Sequence, residues 1–385
     1  MALPLRRWWK RTFGSNSCAA LLNAACCRDG RAAAVATVSV LPRGRFLSTT
    51  SSRNCGSLSR CDVRLLRPAP RACRYSAVHS DAKLKDPFSL AQKDLKNLYD
   101  DIKKELLVST AELKSLCDYY FDGKGKAFRP MIVVLMARAC NIHSNRDSDL
   151  LPGQRAIALV SEMIHTASLV HDDVIDGADT RRGKTTINEA WGERKAILVG
   201  DFILSAASVA LARIGNNAVV TVLAQVIEDL VRGEFMQLGS KENENERFKH
   251  YLEKTFKKTA SLIANSCKAV SILVNPDPEV HEVAYQYGRN VGIAFQVARL
   301  SREAQLERCD GRFPELHAMI MRRFSLNEDV DRAWRYVLQS DGVEQTKYLA
   351  QRYCQEAIRH ISKLHPSAER EALIRLTELV LTRDT

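Results

Sequence analysis

Three aspartates, Asp172, Asp173 and Asp176, close a long apolar stretch, and Arg181 and Arg182 follow directly. Four residues make about one helical turn, so the carboxylates of Asp172 and Asp176 stand side by side if this stretch is a helix. Like charges at that spacing repel by a few tenths of a kcal/mol in water and by more when buried. A divalent cation would offset that repulsion. Carboxylate oxygens with open coordination positions suit Mg2+, which keeps part of its water and bridges to phosphate oxygens. A guanidinium fork matches phosphate bidentately, so the two arginines are natural partners of a diphosphate. The plainer alternative is a solvated acidic helix end followed by a basic loop. The apolar stretch beneath the aspartates favours the first reading, with Asp172 and Asp176 as metal ligands and Asp173 beside them.

The element that positions these groups is read from Gln154 onward. Ile157, Val160, Ile164, Ser168 and Asp172 recur at three- and four-residue steps, so they share one helical face. That face is apolar at the bottom and acidic at the top. His165 lies two turns below Asp172, and Gly177 lets the helix stop. Two other stretches carry cations. Phe121–Pro130 holds two glycines and then Lys126 and Arg129 at the start of the next predicted helix, Met131–Cys140. Backbone N–H groups and the macrodipole favour an anion there, although a basic loop without a ligand reads equally well. Lys257, Lys258 and Thr259 sit in the middle of a predicted helix, Asn245–Leu273, where a solvated lysine pair is the simpler interpretation.

The 385 residues carry a net charge of +12, but unevenly. Residues 1–80 hold fourteen Lys or Arg against two acids, which accounts for the whole excess; the remainder is balanced at 43 of each. A neutral body argues against nucleic acid as a partner. The leader is rich in Arg, Ala and Ser, and Leu5, Trp8 and Trp9 form a stripe opposite Arg6, Arg7, Lys10 and Arg11. That is the composition of a mitochondrial transit peptide, followed by a linker to residue 80. The apolar run Ala32–Leu41 is too short to span a bilayer, and no transmembrane segment is expected. Six of the eleven cysteines lie in the leader and no CxxC occurs, so neither a zinc site nor a disulfide framework is indicated.

From residue 81 onward the pattern is helical throughout. Leu95–Leu106 keeps helical spacing, Ser109–Glu112 reads as a capping box, and Lys195–Ile214, Ala218–Leu238 and Glu282–Arg299 are predicted helices. Three or four amphipathic segments fill Phe313–Leu381. No alternating strand pattern or hairpin signal is found. The expectation is one all-α domain over residues 81–385, a helix bundle around a central cavity.

Together, Gly125–Pro130 (GKAFRP), Asp172–Asp176 (DDVID) with Arg181 and Arg182, and the Lys258-Thr259 pair resemble the trans-polyprenyl diphosphate synthases, over about residues 84–385. The likeness is greatest to the mitochondrial long-chain members, which make the ubiquinone side chain. It implies a bundle of that family's type, Mg2+ as cofactor, and condensation of isopentenyl diphosphate onto an allylic diphosphate, farnesyl or geranylgeranyl. It further implies that Asp172, Asp173 and Asp176 are catalytic, and that Asp172 and Asp176 hold the metal. Lys126, Arg129, His165 and Arg182 would bind isopentenyl diphosphate. Arg181, Lys258, Thr259 and Gln296 would hold the allylic diphosphate. Ala167 and Ser168, five and four positions before Asp172, would set the floor of the product cavity, and both are small, as a decaprenyl or nonaprenyl product requires. A second, different synthase subunit in a hetero-oligomer and a place in the mitochondrial matrix or at the inner membrane surface complete the implication.

The resemblance breaks after Phe295-Gln296. The family has a second aspartate-rich motif a few residues on; here Val297–Glu303 follows, with Glu303, Glu307 and Asp310 the only nearby acids. The sequence rejoins a family-like tail near Phe313, as though a segment were deleted at about 297–312. Losing carboxylates from a facing helix would leave diphosphate charge partly uncompensated, at about 10²–10³ in rate for each electrostatic element lost. It would also weaken the bundle. The alternative function is therefore a catalytically impaired chain that acts only as an interaction or regulatory subunit.

Overall fold

The structure is a computed structural model that describes residues 86–106, 110–122, 127–181, 183–238, 244–299 and most of 315–382. The leader, Lys126, Arg182 and the junction at about 300–314 lie outside the described residues. Among the described residues there are fourteen α-helices and one two-stranded hairpin. The short entry helices are α1 (Pro87–Leu95), α2 (Leu98–Glu105) and α3 (Ala111–Tyr120). The bundle follows with α4 (Phe128–His143), α5 (Pro152–Ile175), α6 (Ile187–Trp191), α7 (Glu193–Arg213) and α8 (Asn217–Leu238). A continuous rod then runs through α9 (Glu244–Thr255), a π turn (Phe256–Ala260) and α10 (Ser261–Ile272). The chain ends in α11 (Pro278–Arg299), α12 (Asp329–Gln339), α13 (Gly342–Ile361) and α14 (Ala368–Thr382).

The expected all-α class is the class found, and α5 occupies its middle. Ile157, Val160, Met163, Ile164, Ala167 and Val170 are fully buried against α4, α7 and α10. Its start is fixed by amide side chains rather than by a hydroxyl cap. Buried Gln154 accepts from the Leu151 N–H at 3.0 Å and donates to Asn141 Oδ1 at 2.7 Å, while Asn141 donates to the Asp149 carbonyl at 2.8 Å. Each buried amide is thereby satisfied, as burial demands. Helix α7 is long and apolar enough to cross a membrane by length and composition. It buries Ala196, Val199, Gly200 and Ile203 in the bundle instead, with α5 as its main neighbour.

Local differences from the sequence reading have simple causes. The helix expected over Leu95–Leu106 is broken at Lys96-Asn97 into α1 and α2. Thr110, not Ser109, is the N-cap of α3, and its side chain makes no capping bond. Strands β1 (Thr180–Arg181) and β2 (Lys184–Thr185) pair antiparallel with Gly183 at φ 81° in the turn. Two residues per strand are too few to show an alternating pattern. The π turn interrupts what the sequence presents as an uninterrupted helix.

Close helix contacts hold the far wall. A Cβ at Gly288 would lie 2.8 Å from Ala264 Cα and from the Ile263 carbonyl oxygen, and one at Gly292 would lie 2.7 Å from Ala260 Cα. The two glycines, one turn apart on α11, thus let its backbone rest on α10 and the π turn. The C-terminal helices close the opposite side of α11. Tyr287 is fully buried and donates to the Leu373 carbonyl at 2.8 Å. Arg138 on α4 ties both ends together, reaching Asp94 at 3.1 Å and Glu369 at 2.9 Å. Gly288→Val should push α11 off α10 against backbone atoms that cannot yield. The expected loss is about 2–3 kcal/mol of unfolding free energy in denaturant titration; a change below about 0.5 kcal/mol, the range of an ordinary surface substitution, would show that the contact has slack.

Candidate active site

The acidic end of α5 resolves into two kinds of carboxylate. Asp173 is 1% exposed and wholly engaged. Arg181 on β1 donates to its Oδ1 through Nε at 2.7 Å and sits at 2.7 Å through a second nitrogen; the Tyr120 hydroxyl donates to Oδ2 at 2.9 Å. Asp173 is therefore an internal anchor for the hairpin rather than a group open to the cavity, which corrects its sequence placement beside Asp172 and Asp176. Arg181, expected to face a phosphate, is folded onto this carboxylate. Burial works against the Arg181 charge, but the Asp173 carboxylate outweighs it and holds the guanidinium pKa above its usual value.

Asp172, in the last turn of α5, and Asp176, which caps it, form the other kind. Both are half-buried and neither is committed to a close ion pair. Burial pushes the Asp172 carboxyl up to about 6, with Glu234 and Asp176 adding to the shift and Lys258 and Arg181 opposing it. Asp176 is raised in the same direction, again by burial first. The Lys258 ammonium lies 3.9 Å from Asp172 Oδ1, pairs with Glu234, and donates to Gln237 Oε1 at 3.0 Å. Its pKa is raised, since Asp172 and Glu234 overcome the effect of burial.

The π turn explains how two adjacent lysines come to serve different partners. A π turn widens the helix by one residue and re-aims the side chains it carries. Lys257 pairs with buried Asp229 at 3.1 Å, and Ser261 donates to the same carboxylate at 2.5 Å. Lys258 reaches the acidic pair instead. Thr259 lies half-buried in the same turn.

The remaining candidates sit on flanking elements. Arg129 lies in the first turn of α4, directly after Ala127, which is left-handed at φ 43°. Phe128 stacks on Phe295 at 5.3 Å between ring centroids, bringing the start of α4 to the end of α11, where Gln296 is half-buried. The loop that leads into α4 begins beside the hairpin, because Lys184 pairs with Asp122 and the Tyr119 hydroxyl donates to the Thr185 carbonyl at 2.7 Å. His165 is half-buried two turns below Asp172; Ala167 is fully buried, and the Ser168 hydroxyl donates to the His165 carbonyl at 2.9 Å. Tyr120, Glu234 and Gln237 were not singled out in the sequence. The three-residue step from Glu234 to Gln237, beside Gly233, was the available signal.

Comparison with known proteins places this geometry. The Polyprenyl synthetase family pattern matches residues 110–298. Over 351 residues the chain is 64% identical to human all trans-polyprenyl-diphosphate synthase PDSS1, covering 83% of this chain and 85% of the relative. The chain belongs to the polyprenyl synthetase family. It is also 37% identical over 357 residues to decaprenyl-diphosphate synthase subunit 1 of Schizosaccharomyces pombe, covering 80% of this chain and 93% of that one. A Caulobacter crescentus polyprenyl synthase, solved with calcium and isoprenyl diphosphate, superposes with a TM-score of 0.70 at 27% identity, covering 77% of this chain and 97% of the other. Membership makes this chain an all-α prenyltransferase. The family match stops two residues after Gln296, and no DDxxD follows in the sequence.

The donor set fits a divalent cation of the magnesium type. Among the described residues no group of three or more His, Cys, Asp or Glu side chains is disposed to hold a metal unaided. Two adjacent, half-buried carboxylates with raised proton affinity are what a cation completed by water and substrate oxygens requires. The charge conflict at Asp172 can be tested without any ligand. In the folded, metal-free protein Asp172 binds its proton up to about pH 6, against 3.8 for an ordinary aspartate. The folded state holds more protons in that window, so stability falls as pH rises across it and stays lower above it. Asp172→Asn should therefore raise unfolding free energy in EDTA at pH 7.5, by about 1–3 kcal/mol, and the gain should disappear near pH 4. An equal effect at both pH values would refute the charge explanation.

Proposed function

We propose that this prenyltransferase chain adds isopentenyl diphosphate repeatedly to an allylic diphosphate, farnesyl or geranylgeranyl, to make a decaprenyl or nonaprenyl diphosphate for the ubiquinone side chain. The observation that carries the proposal is the open pair Asp172 and Asp176 with Lys258 3.9 Å away, at the end of a buried apolar helix. Human and fission-yeast relatives named as trans-polyprenyl and decaprenyl synthases support the long product. Relatives named as mitochondrial, among them a rice solanesyl-diphosphate synthase at 36% identity, support a mitochondrial site in the matrix or at the inner membrane surface.

In this reading Asp172 and Asp176 hold Mg2+, which when bound would neutralise diphosphate charge and so favour its departure. Lys258 and Thr259 grip the allylic diphosphate from the π turn, with Gln296 on α11, while Arg181 stays on Asp173 and fixes the hairpin. Lys126, Arg129, His165 and Arg182 hold isopentenyl diphosphate. The allylic C–O bond breaks with its electron pair leaving on diphosphate, the isopentenyl double bond attacks the allylic carbon, and the cation so formed on the isopentenyl unit loses a proton to the released diphosphate. The low-dielectric, largely apolar surroundings strengthen each charge contact. Ala167 and Ser168 present no bulk below the aspartates, so a long chain can be accommodated. Exposed Ile197, Leu198 and Val209 on α7, with Val231 and Phe235 on α8, offer apolar surface to a second synthase subunit; Phe235 is 72% exposed.

The sequence after Gln296 sets the limit on rate. With one aspartate-rich edge instead of two, turnover should be lower than in a chain with both by at least the factor of about 10²–10³ that one lost electrostatic element costs. The full chain, mixed with the second subunit, farnesyl diphosphate, labelled isopentenyl diphosphate and Mg2+, should yield slow long-chain product on chromatography. Asp172→Ala should abolish it, and Ser168→Phe should shorten it. Product that survives Asp172→Ala would remove the metal assignment. A complete absence of product from the parent chain would leave the interaction-subunit role in place of synthesis.

A further inference from the structure

We infer that Glu234 and Gln237 on α8 are positioning residues for Lys258, and that Gly233 provides the slot in which that lysine lies. The inference rests on the proposed diphosphate site and names the groups that aim one of its cations. An ammonium has three N–H donors. One is taken by Gln237 Oε1 at 3.0 Å and one by Glu234, which leaves the third for an acceptor on the Asp172 side, where Oδ1 is 3.9 Å away. Glu234 and Gln237 are three residues apart on one helix, so both acceptors are presented from the same face. Their neighbour Gly233 permits the approach. A Cβ there would lie 2.8 Å from Lys258 Cγ, 3.1 Å from Lys257 Cβ and 3.3 Å from the Lys258 nitrogen.

The contrast with Lys257 shows that the arrangement is selective. Lys257 is closed off by Asp229, which Ser261 also holds. The same helix α8 therefore supplies one carboxylate that retires a lysine into structure and another that keeps its neighbour at the site. A tethered ammonium gives up less side-chain freedom when it meets an anion than a free lysine would. The consequence is affinity for the allylic diphosphate rather than for isopentenyl diphosphate, whose proposed ligands lie on other elements.

The test uses the full chain and farnesyl thiodiphosphate, an unreactive allylic analogue, titrated calorimetrically with Mg2+ present. Gln237→Leu changes no charge, so any loss reports positioning and not the local field. Gln237→Leu and Glu234→Gln should each weaken analogue binding about 5- to 20-fold, while isopentenyl diphosphate binding stays as in the parent. In a Lys258→Ala background the same two substitutions should have no further effect, because they act through the lysine. Without substrate, mass spectrometry should show Lys258 acylated faster by an amine-reactive ester in both variants. Unchanged analogue affinity and labelling, or equal losses with and without Lys258, would overturn the positioning role while leaving the site itself intact. If the parent chain failed to bind the analogue at all, the diphosphate site would fall and the positioning role with it.

Discussion

The burial of two carboxylates, Asp172 and Asp176, one turn apart at the end of a buried helix is the constraint that the rest of the molecule answers. The helix cannot relax it by turning, because Ile157, Val160, Met163, Ile164 and Ala167 fix the buried face of α5 over its whole length. Nor can the pair escape into water, since both carboxylates remain half-buried. Counting the groups nearest to them, Asp172, Asp176 and Glu234 bring three negative charges against one positive charge on Lys258. Two charges are left over, which is the charge of one divalent cation. Burial first, and then Glu234 and Asp176, push the Asp172 pKa up to about 6, so the metal-free protein relieves part of this charge by protonation.

The neighbouring charges are arranged so that they do not blur this balance. Asp173 and Arg181 cancel each other through two contacts at 2.7 Å, and Tyr120 takes the remaining oxygen. Asp229 and Lys257 cancel in the same way. Closed pairs of this kind add little net stability once desolvation is counted, but they fix orientation. Here they set the hairpin and the π turn, the two elements that carry Arg181 and Lys258. The site thus separates charges that hold the framework from charges left open to a ligand.

The sequence made the first layer of this legible and concealed the second. Three- and four-residue steps of apolar residues are enough to place Asp172 at the top of a buried helix, and four-residue spacing is enough to pair it with Asp176. Nothing local distinguishes Asp173 from its neighbour, because the distinction comes from Tyr120 and Arg181, which are near only after folding. The π turn is equally silent, since Phe256–Ala260 has ordinary helical composition. Glu234 and Gln237 resemble the solvent-facing residues that any amphipathic helix carries. The hairpin escaped notice because its strands are two residues long, and Thr110 displaced the expected Ser109 cap without using its hydroxyl. The roles of Asp173, Glu234 and Gln237 depend on Tyr120 and Lys258, distant in sequence, and periodicity carries no information about such partners.

The sequence junction after Gln296 follows a helix that the described residues hold from several sides. Helix α11, the last element before the junction, is held on three sides by described residues. Gly288 and Gly292 rest on α10 and the π turn, Phe295 stacks on Phe128, and Tyr287 is bonded to α14. Helix α13 packs along its remaining length. The surface that packs on α11 is therefore supplied both by α4, α10 and the π turn before the junction and by α13 and α14 after it. The stretch from Val297 to Glu303 carries no pair of aspartates, and the proposed shortfall in turnover rests on that sequence alone. On the proposed reading an allylic diphosphate is bound by the α5 edge and Lys258, while ionisation of its C–O bond would draw on positive charge beyond that edge. Binding and ionisation then make separate demands, so the first would persist where the second is slow.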